Sequence, residues 1–223
     1  ATILEPVIPG ALGHILTASL INAPAAIVIA RLMVPPEPTD DAPINDTVEL
    51  PRTAGGAMDT ITQGTVDGVK LLINVIAMLI VMIALVSLVN IVLGLATDVA
   101  GQALTLQRLL GWALAPLAWL LGIPWEQAAT AGGLLGAKII LNEFIAYAEM
   151  AKLPAEMLND RARLIMTYAL CGFANFGSLG IMIGGLTTMA PERRADIVSL
   201  GMKSIAAGVM ATCMTAAVVA VLI

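Results

Sequence analysis

Lys138, Asn142 and Glu143 stand inside one long apolar run, in the stretch GAKIILNEFIAY over residues 136–147. A charge at the centre of a membrane helix costs about 2.5–3.5 kcal/mol on insertion scales, so ionisable residues there are functional-site candidates by default. Lys138 and Asn142 are four apart and share a helix face. Glu143 lies five positions after Lys138, about 140° round an ideal helix, so an unbroken helix does not pair them. Gly132, Gly133 and Gly136 come just before, where they permit close helix approach or a local break. Broken backbone is tolerated at membrane depth only when buried in protein or lining a cavity. A second group follows in GFANFGSLG, residues 172–180, where Phe173, Asn175, Phe176 and Ser178 place two aromatics beside an amide and a hydroxyl.

Glu143 offers acceptors, Asn175 both donors and acceptors, and Ser178 one donor with acceptor capacity. Such a set suits a neutral, hydroxyl-rich solute with an apolar face, and a sugar joined to a heterocycle fits well. An inorganic anion fits badly beside an ionised glutamate, although Lys138 argues the other way. A purely structural network, in which Lys138, Asn142 and Glu143 satisfy one another and nearby carbonyls, stays open. So do a transporter or gate module for another polar solute, and a non-transporting membrane subunit. Enzyme chemistry is not expected. The single histidine, His14, is far in sequence from any nucleophile, and it reads as an interfacial residue. Cys171 and Cys213 lack metal-ligand spacing and read as small packing residues. No metal site and no cofactor are expected in this chain. The runs GGLLGAK and TAGGA lack the spacing of a phosphate loop, and no basic patch suggests nucleic acid.

The elements that must position these residues are membrane helices. Of 223 residues, 59% are hydrophobic and only 12% charged, about half the charged share of a soluble domain; the mean hydropathy is +0.93. Several apolar runs exceed the roughly 20 residues that cross a bilayer as a helix. The expected fold class is an all-α polytopic membrane protein with interfacial helices and a re-entrant helical hairpin. The expected segments are a spanning helix over 11–34, an interfacial helix over 53–70, a spanning helix over 71–96 and an interfacial helix over 104–122. A broken spanning helix over 126–151, a re-entrant hairpin over 164–190 and a last spanning helix over 197–223 follow. The net charge of −5 says little, because acids cluster in one loop around Asp40, Asp41, Asp46 and Glu49. The hairpin is placed at 164–190 because basic residues flank it on both sides, and because GFANFGSLG is poor helix material near its midpoint. With Lys152, Arg161 and Arg163 before it and Arg193, Arg194 and Lys203 after it, both flanks should be cytoplasmic. Alternation then adds Arg31, Arg52 and Lys70 to the same side, leaves Arg108 outside, and puts the C-terminus outside the cytoplasm.

The same residues resemble the concentrative nucleoside transporter family. GAKIILNEFIAY is similar to that family's signature of Gly or Ala, any residue, Lys, three residues, then Asn-Glu-Phe-Val-Ala and an aromatic, with Ile145 where Val is usual. CGFANFGSLGIMIGG, residues 171–185, resembles the family's second re-entrant hairpin. LTASLINAPAAIVIARLMVPPE, residues 16–37, resembles a helix end with a Ser-Ala-Pro-Ala core, with Asn22 for the Ser and Arg31 for a usual Lys. The resemblance implies nucleoside import across the cytoplasmic (inner) membrane, driven by sodium or protons, in a homotrimer. It implies that Glu143, Asn175 and Ser178 hold the ribose hydroxyls and that Phe173 packs near the bound nucleoside. Lys138, Asn142 and Phe176 take supporting places, and the helix 71–96 belongs to the trimer scaffold. It also implies that an N-terminal half supplies the base-reading hairpin and the seat of the coupling cation, neither of which is in this chain.

Overall fold

The computed structural model describes residues 3–35, 56–95, 99, 101 and 103–223. The acidic loop with Arg52, the first residues of the expected segment 53–70, and Ala96 lie outside the described residues. Among the described residues the helices are α1 (Ala11–Met33), α2 (Ala57–Leu93), α3 (Leu106–Leu120), α4 (Trp125–Ile140) and α5 (Glu143–Lys152). They continue with α6 (Asp160–Leu170), α7 (Phe176–Met189) and, after a 3-10 turn, α8 (Arg194–Leu222). This is the all-helical, membrane-type fold class that composition implies.

Residues 57–93 form one helix of 37 residues, where the sequence suggested an interfacial helix ending at 70 and a separate spanning helix. The physical reason is that polarity is not a helix stop. No proline falls between Ala57 and Leu93, and only Gly64 and Gly68 weaken the run. The hydroxyls of Thr60, Thr62 and Thr65 bond back to carbonyls four residues earlier, so the polar residues are absorbed within the helix. The helix leaves Ile61, Ile73, Ile80 and Leu88 exposed.

The hairpin and the broken crossing helix exchange places relative to the sequence reading. Side-chain pairings fix the directions. Asn159, at the start of α6, bonds Gln127 near the start of α4, and Ala169 near the end of α6 bonds Lys138 near the end of α4. Hence α4 and α6 run parallel. Tyr147 reaches Thr167, while Arg163 reaches Met150 and Leu153, so α5 and α6 run antiparallel. Then α4 and α5 oppose each other, and residues 125–152 form the hairpin, with its turn at Leu141 and Asn142. Its two ends meet at the start of α6, where Arg161 bonds the Gly122 carbonyl and Arg163 bonds those of Met150 and Leu153.

Segment 160–189 runs on rather than turning back. Arg161 pairs with Ala220, Gly172 abuts Thr212, Ala174 abuts Gly208, and Leu179 and Ile183 abut Gly201. The order is monotonic, so α6, the irregular residues 171–175 and α7 lie antiparallel along α8. Gly201 to Ala220 spans about 28 Å at 1.5 Å per residue, close to the thickness of a bilayer core. The sequence reading failed because it counted Arg161 and Arg163 as loop charges. Arg163 is buried, and its guanidinium donates to three backbone carbonyls, those of Leu158, Met150 and Leu153. These arginines cap helix ends instead of marking a cytoplasmic loop.

Small residues let the helices approach. A Cβ on Gly132 would lie 2.6 Å from the Gly111 carbonyl oxygen and 2.9 Å from the Ala115 nitrogen. Around this seam Ala118, Ala128 and Ala131 are fully buried, and α3 folds back on α4 with a bend of 117°. Gly132→Ala is expected to cost about 1–3 kcal/mol through overpacking against backbone, read as a lower melting temperature in detergent. Gly180→Ala, with nothing within 4 Å of the added carbon, should not lower it. The topology gives a second expectation. Glu156→Cys and Glu192→Cys, both exposed, should react with an impermeant thiol reagent from opposite sides of the membrane; a hairpin at 164–190 would place both on one side.

Candidate functional site

Two helix starts face each other where the hairpin turn meets the irregular residues 171–175. Asn142 is the N-cap of α5: its side-chain oxygen accepts from the Ile145 amide at 2.9 Å. The cap makes Glu143 the first residue of α5, where a carboxylate is favoured by the helix dipole. Asn175 caps α7 in the same way, accepting from the Ser178 amide at 2.7 Å. Ser178 completes a capping box, because its hydroxyl accepts from the Asn175 amide at 3.3 Å. The same hydroxyl is within bonding reach of the Phe173 and Asn175 carbonyls. With its oxygen committed to the cap, Asn175 turns its Nδ2 outward and donates to Glu143 Oε2 at 3.4 Å. That contact is at the long limit for a hydrogen bond.

Lys138 is completely buried. Its ammonium donates to the Ala169 carbonyl and to Thr212 Oγ1, each at 2.8 Å. Neither described salt bridge includes Lys138 or Glu143. Lys138 therefore bonds the end of α6 and Thr212 of α8, while the Asn175 amide bonds Glu143.

A cavity of about 360 Å³ opens beside this junction, lined among others by Asn22, Phe173, Asn175, Ser178, Ser204 and Thr212. Phe173 presents 79% of its surface and Phe176 39%. Of the residues singled out from sequence, Phe173, Asn175 and Ser178 share this cavity, and Glu143 joins them through Asn175. Lys138, Asn142 and Phe176 do not line it; the first two act on backbone.

Sequence reasoning missed several participants. Asn22 Nδ2 donates to the Cys171 carbonyl at 2.6 Å, and its Oδ1 is buried without a partner. Tyr147 donates to the Thr167 carbonyl at 2.7 Å. Thr212 was hidden in an apolar helix, although a hydroxyl in such a helix is itself a signal. His14, read as interfacial, bonds the Tyr168 hydroxyl at 3.0 Å.

Comparison with known proteins places this geometry. A family model described as Na+ dependent nucleoside transporter C-terminus matches residues 14–220. An uncharacterized transporter, YutK of Bacillus subtilis, is 38% identical over 207 residues, covering 92% of this chain and 51% of its own length. Nucleoside permease NupC of Helicobacter pylori is 33% identical over 229 residues, 98% of this chain and 54% of the permease. Among solved structures, CNTnw in an inward-facing substrate-bound state superposes with a TM-score of 0.80 at 37% identity, over 98% of this chain and 52% of that one. A double variant of CNTnw in an outward-facing state gives a TM-score of 0.82 at 35% identity, with the same coverage. The chain thus spans about half the length of these relatives, which are transporters rather than enzymes. With a family match over nearly its full length, the chain belongs to the C-terminal family of Na+ dependent nucleoside transporters.

Proposed function

We propose that this chain is the ribose-binding, C-terminal half of a cation-coupled nucleoside importer of the cytoplasmic (inner) membrane, working by alternating access. The carrying observation is Glu143 Oε2 facing Asn175 Nδ2 at 3.4 Å, where a hairpin turn meets a helix break. A carboxylate accepts from the two hydroxyls of a vicinal diol, and the Asn175 amide and Ser178 hydroxyl supply the complementary groups. The exposed ring of Phe173 gives the apolar face of the ligand a surface to pack on. Base reading and the seat of the sodium ion or proton belong to an N-terminal half. The exposed apolar flank of α2 suits a scaffold at the centre of a homotrimer. Arg31, Arg193, Arg194 and Lys203 gather at one end of the bundle, shown by the groove that Arg31 shares with Lys203. The C-terminus lies at the opposite end, with Ala220 beside Arg161. The C-terminal end carries Lys152 together with Arg161 and Arg163, which are engaged as caps. The four at the other end outweigh it, so the positive-inside rule favours an extracytoplasmic C-terminus and a hairpin that enters from that side.

The test is uptake of uridine by the full-length transporter in a host lacking nucleoside uptake. Glu143→Gln should abolish uptake at unchanged trimer yield; loss of yield along with uptake would make Glu143 structural instead. Because a hydrogen bond to a charged group contributes about 1.5–3 kcal/mol, the sugar-free base should compete at least about tenfold more weakly than uridine. Equal competition would sink the ribose assignment. Asn175→Asp keeps the cap acceptor of α7 but sets a second carboxylate against Glu143, so it should spare folding and weaken uridine competition.

A further inference from the structure

The last four carbonyls of a helix have no partners within it. For α6 these are the carbonyls of Thr167, Tyr168, Ala169 and Leu170. Two are met locally: the Cys171 amide donates to Tyr168 O at 3.2 Å, and the Gly172 amide to Leu170 O at 2.9 Å. The other two are met by the hairpin, one from each leg. Lys138 of α4 donates to Ala169 O at 2.8 Å, and Tyr147 of α5 donates to Thr167 O at 2.7 Å. Thr167, Ala169 and Leu170 are fully buried, and Tyr168 nearly so, so water does not substitute for these donors.

We infer that Lys138 and Tyr147 are the positioning residues of the site: they clip the hairpin to the open end of α6 and thereby hold Glu143 opposite Asn175. Three observations carry this. First, Glu143 sits between the two donors in sequence, five residues after Lys138 and four before Tyr147, at the turn that both legs support. Second, the contact at the turn is the 3.4 Å approach of Glu143 to Asn175, too long to hold two elements in register alone. Third, the surroundings are shaped for the lysine head. A Cβ on Gly172 would come within 2.7 Å of Thr212 Cγ2 and 4.0 Å of Lys138 Nζ, so the bare glycine lets Thr212 close on the ammonium. If packing alone set the turn, an aliphatic side chain at 138 would do so without the cost of burying an ammonium. Lysine and tyrosine bring what the open helix end needs, a donor at the end of a long side chain.

The site role rests on the proposed ribose reading; the clip itself does not. Two variants of the full-length protein separate them. Tyr147→Phe deletes one hydroxyl at nearly constant volume, and Lys138→Met keeps length without a donor. Hydrogen exchange should rise in both variants at residues 141–146 and 171–176 and stay unchanged in α3. Exchange unchanged at those residues overturns the clip, whatever the substrate proves to be. In uptake, the preference for uridine over its 2′,3′-dideoxy analogue should fall about fivefold in Tyr147→Phe, the equivalent of one neutral hydrogen bond. A structural role alone would lower yield or maximal rate and leave that preference intact. Raised exchange with unchanged preference therefore overturns the positioning role. A parent protein that takes up no nucleoside would remove the ribose reading and leave the exchange result to decide the clip.

Discussion

The irregular residues 171–175 are the constraint on which the rest of this structure depends. In an apolar interior an unpaired carbonyl costs several kcal/mol, so a helix can stop there only where neighbours supply donors. Lys138 and Tyr147 meet Ala169 and Thr167, Asn22 meets Cys171, and Ser178 meets Phe173. Three elements distant in sequence, α1, α4 and α5, are thus tied to one interruption. Each side chain of the proposed site lies at that interruption or opposite it. The site is where the backbone leaves the helix, and the polar residues around it first serve that backbone.

Close approach follows from the same constraint. Short side chains such as Thr212 reach the break only if the helices are nearly in contact. Gly172 against Thr212, Gly208 against Ala174 and Gly201 against Leu179 line one side of that contact. The seam of Gly111 with Gly132, and Gly136 under Leu110, hold α3 against the hairpin's first leg. Among apolar helices in lipid there is little hydrophobic drive to associate, so close van der Waals packing of small residues is the available source of affinity. Polar satisfaction and small-residue packing are here two sides of one requirement.

Much of this was legible in the sequence, and the parts that were not share a cause. The membrane class, the polar triplet over 138–143 and the Asn175–Ser178 group stand out because polar residues are rare in apolar runs. That Asn142 and Asn175 are caps could have been read from Asn-Glu and Asn-x-x-Ser at helix starts. The placement of the hairpin could not, because residues 171–175 look like a hairpin tip whether the chain reverses or continues. Only the pairing order along α8, from Arg161 with Ala220 to Ile183 with Gly201, distinguishes them. Tyr147 stayed unnoticed because an aromatic in a membrane helix is unremarked until its hydroxyl finds a carbonyl 20 residues away.

The arginines misread as loop charges explain how the hairpin is held. Arg161 grips the Gly122 and Ala220 carbonyls at 2.8 and 2.7 Å. Arg163 grips those of Leu158, Met150 and Leu153 at 2.8, 3.3 and 2.5 Å. Three of these five charge-assisted bonds, to Gly122, Met150 and Leu153, fix the hairpin's base to the start of α6, and the Ala220 bond ties α6 to the end of α8. Midway, Lys138 and Tyr147 add three more bonds. At the turn, the described side-chain bond across to α7 is the long contact of Glu143 with Asn175. Restraint is weakest at the turn, so the part of the hairpin that the proposed reading sets against a ligand is the part with the fewest described side-chain bonds. In the proposed site, base and midsection align the turn and leave the Glu143 carboxylate free to exchange the Asn175 amide for a hydroxyl.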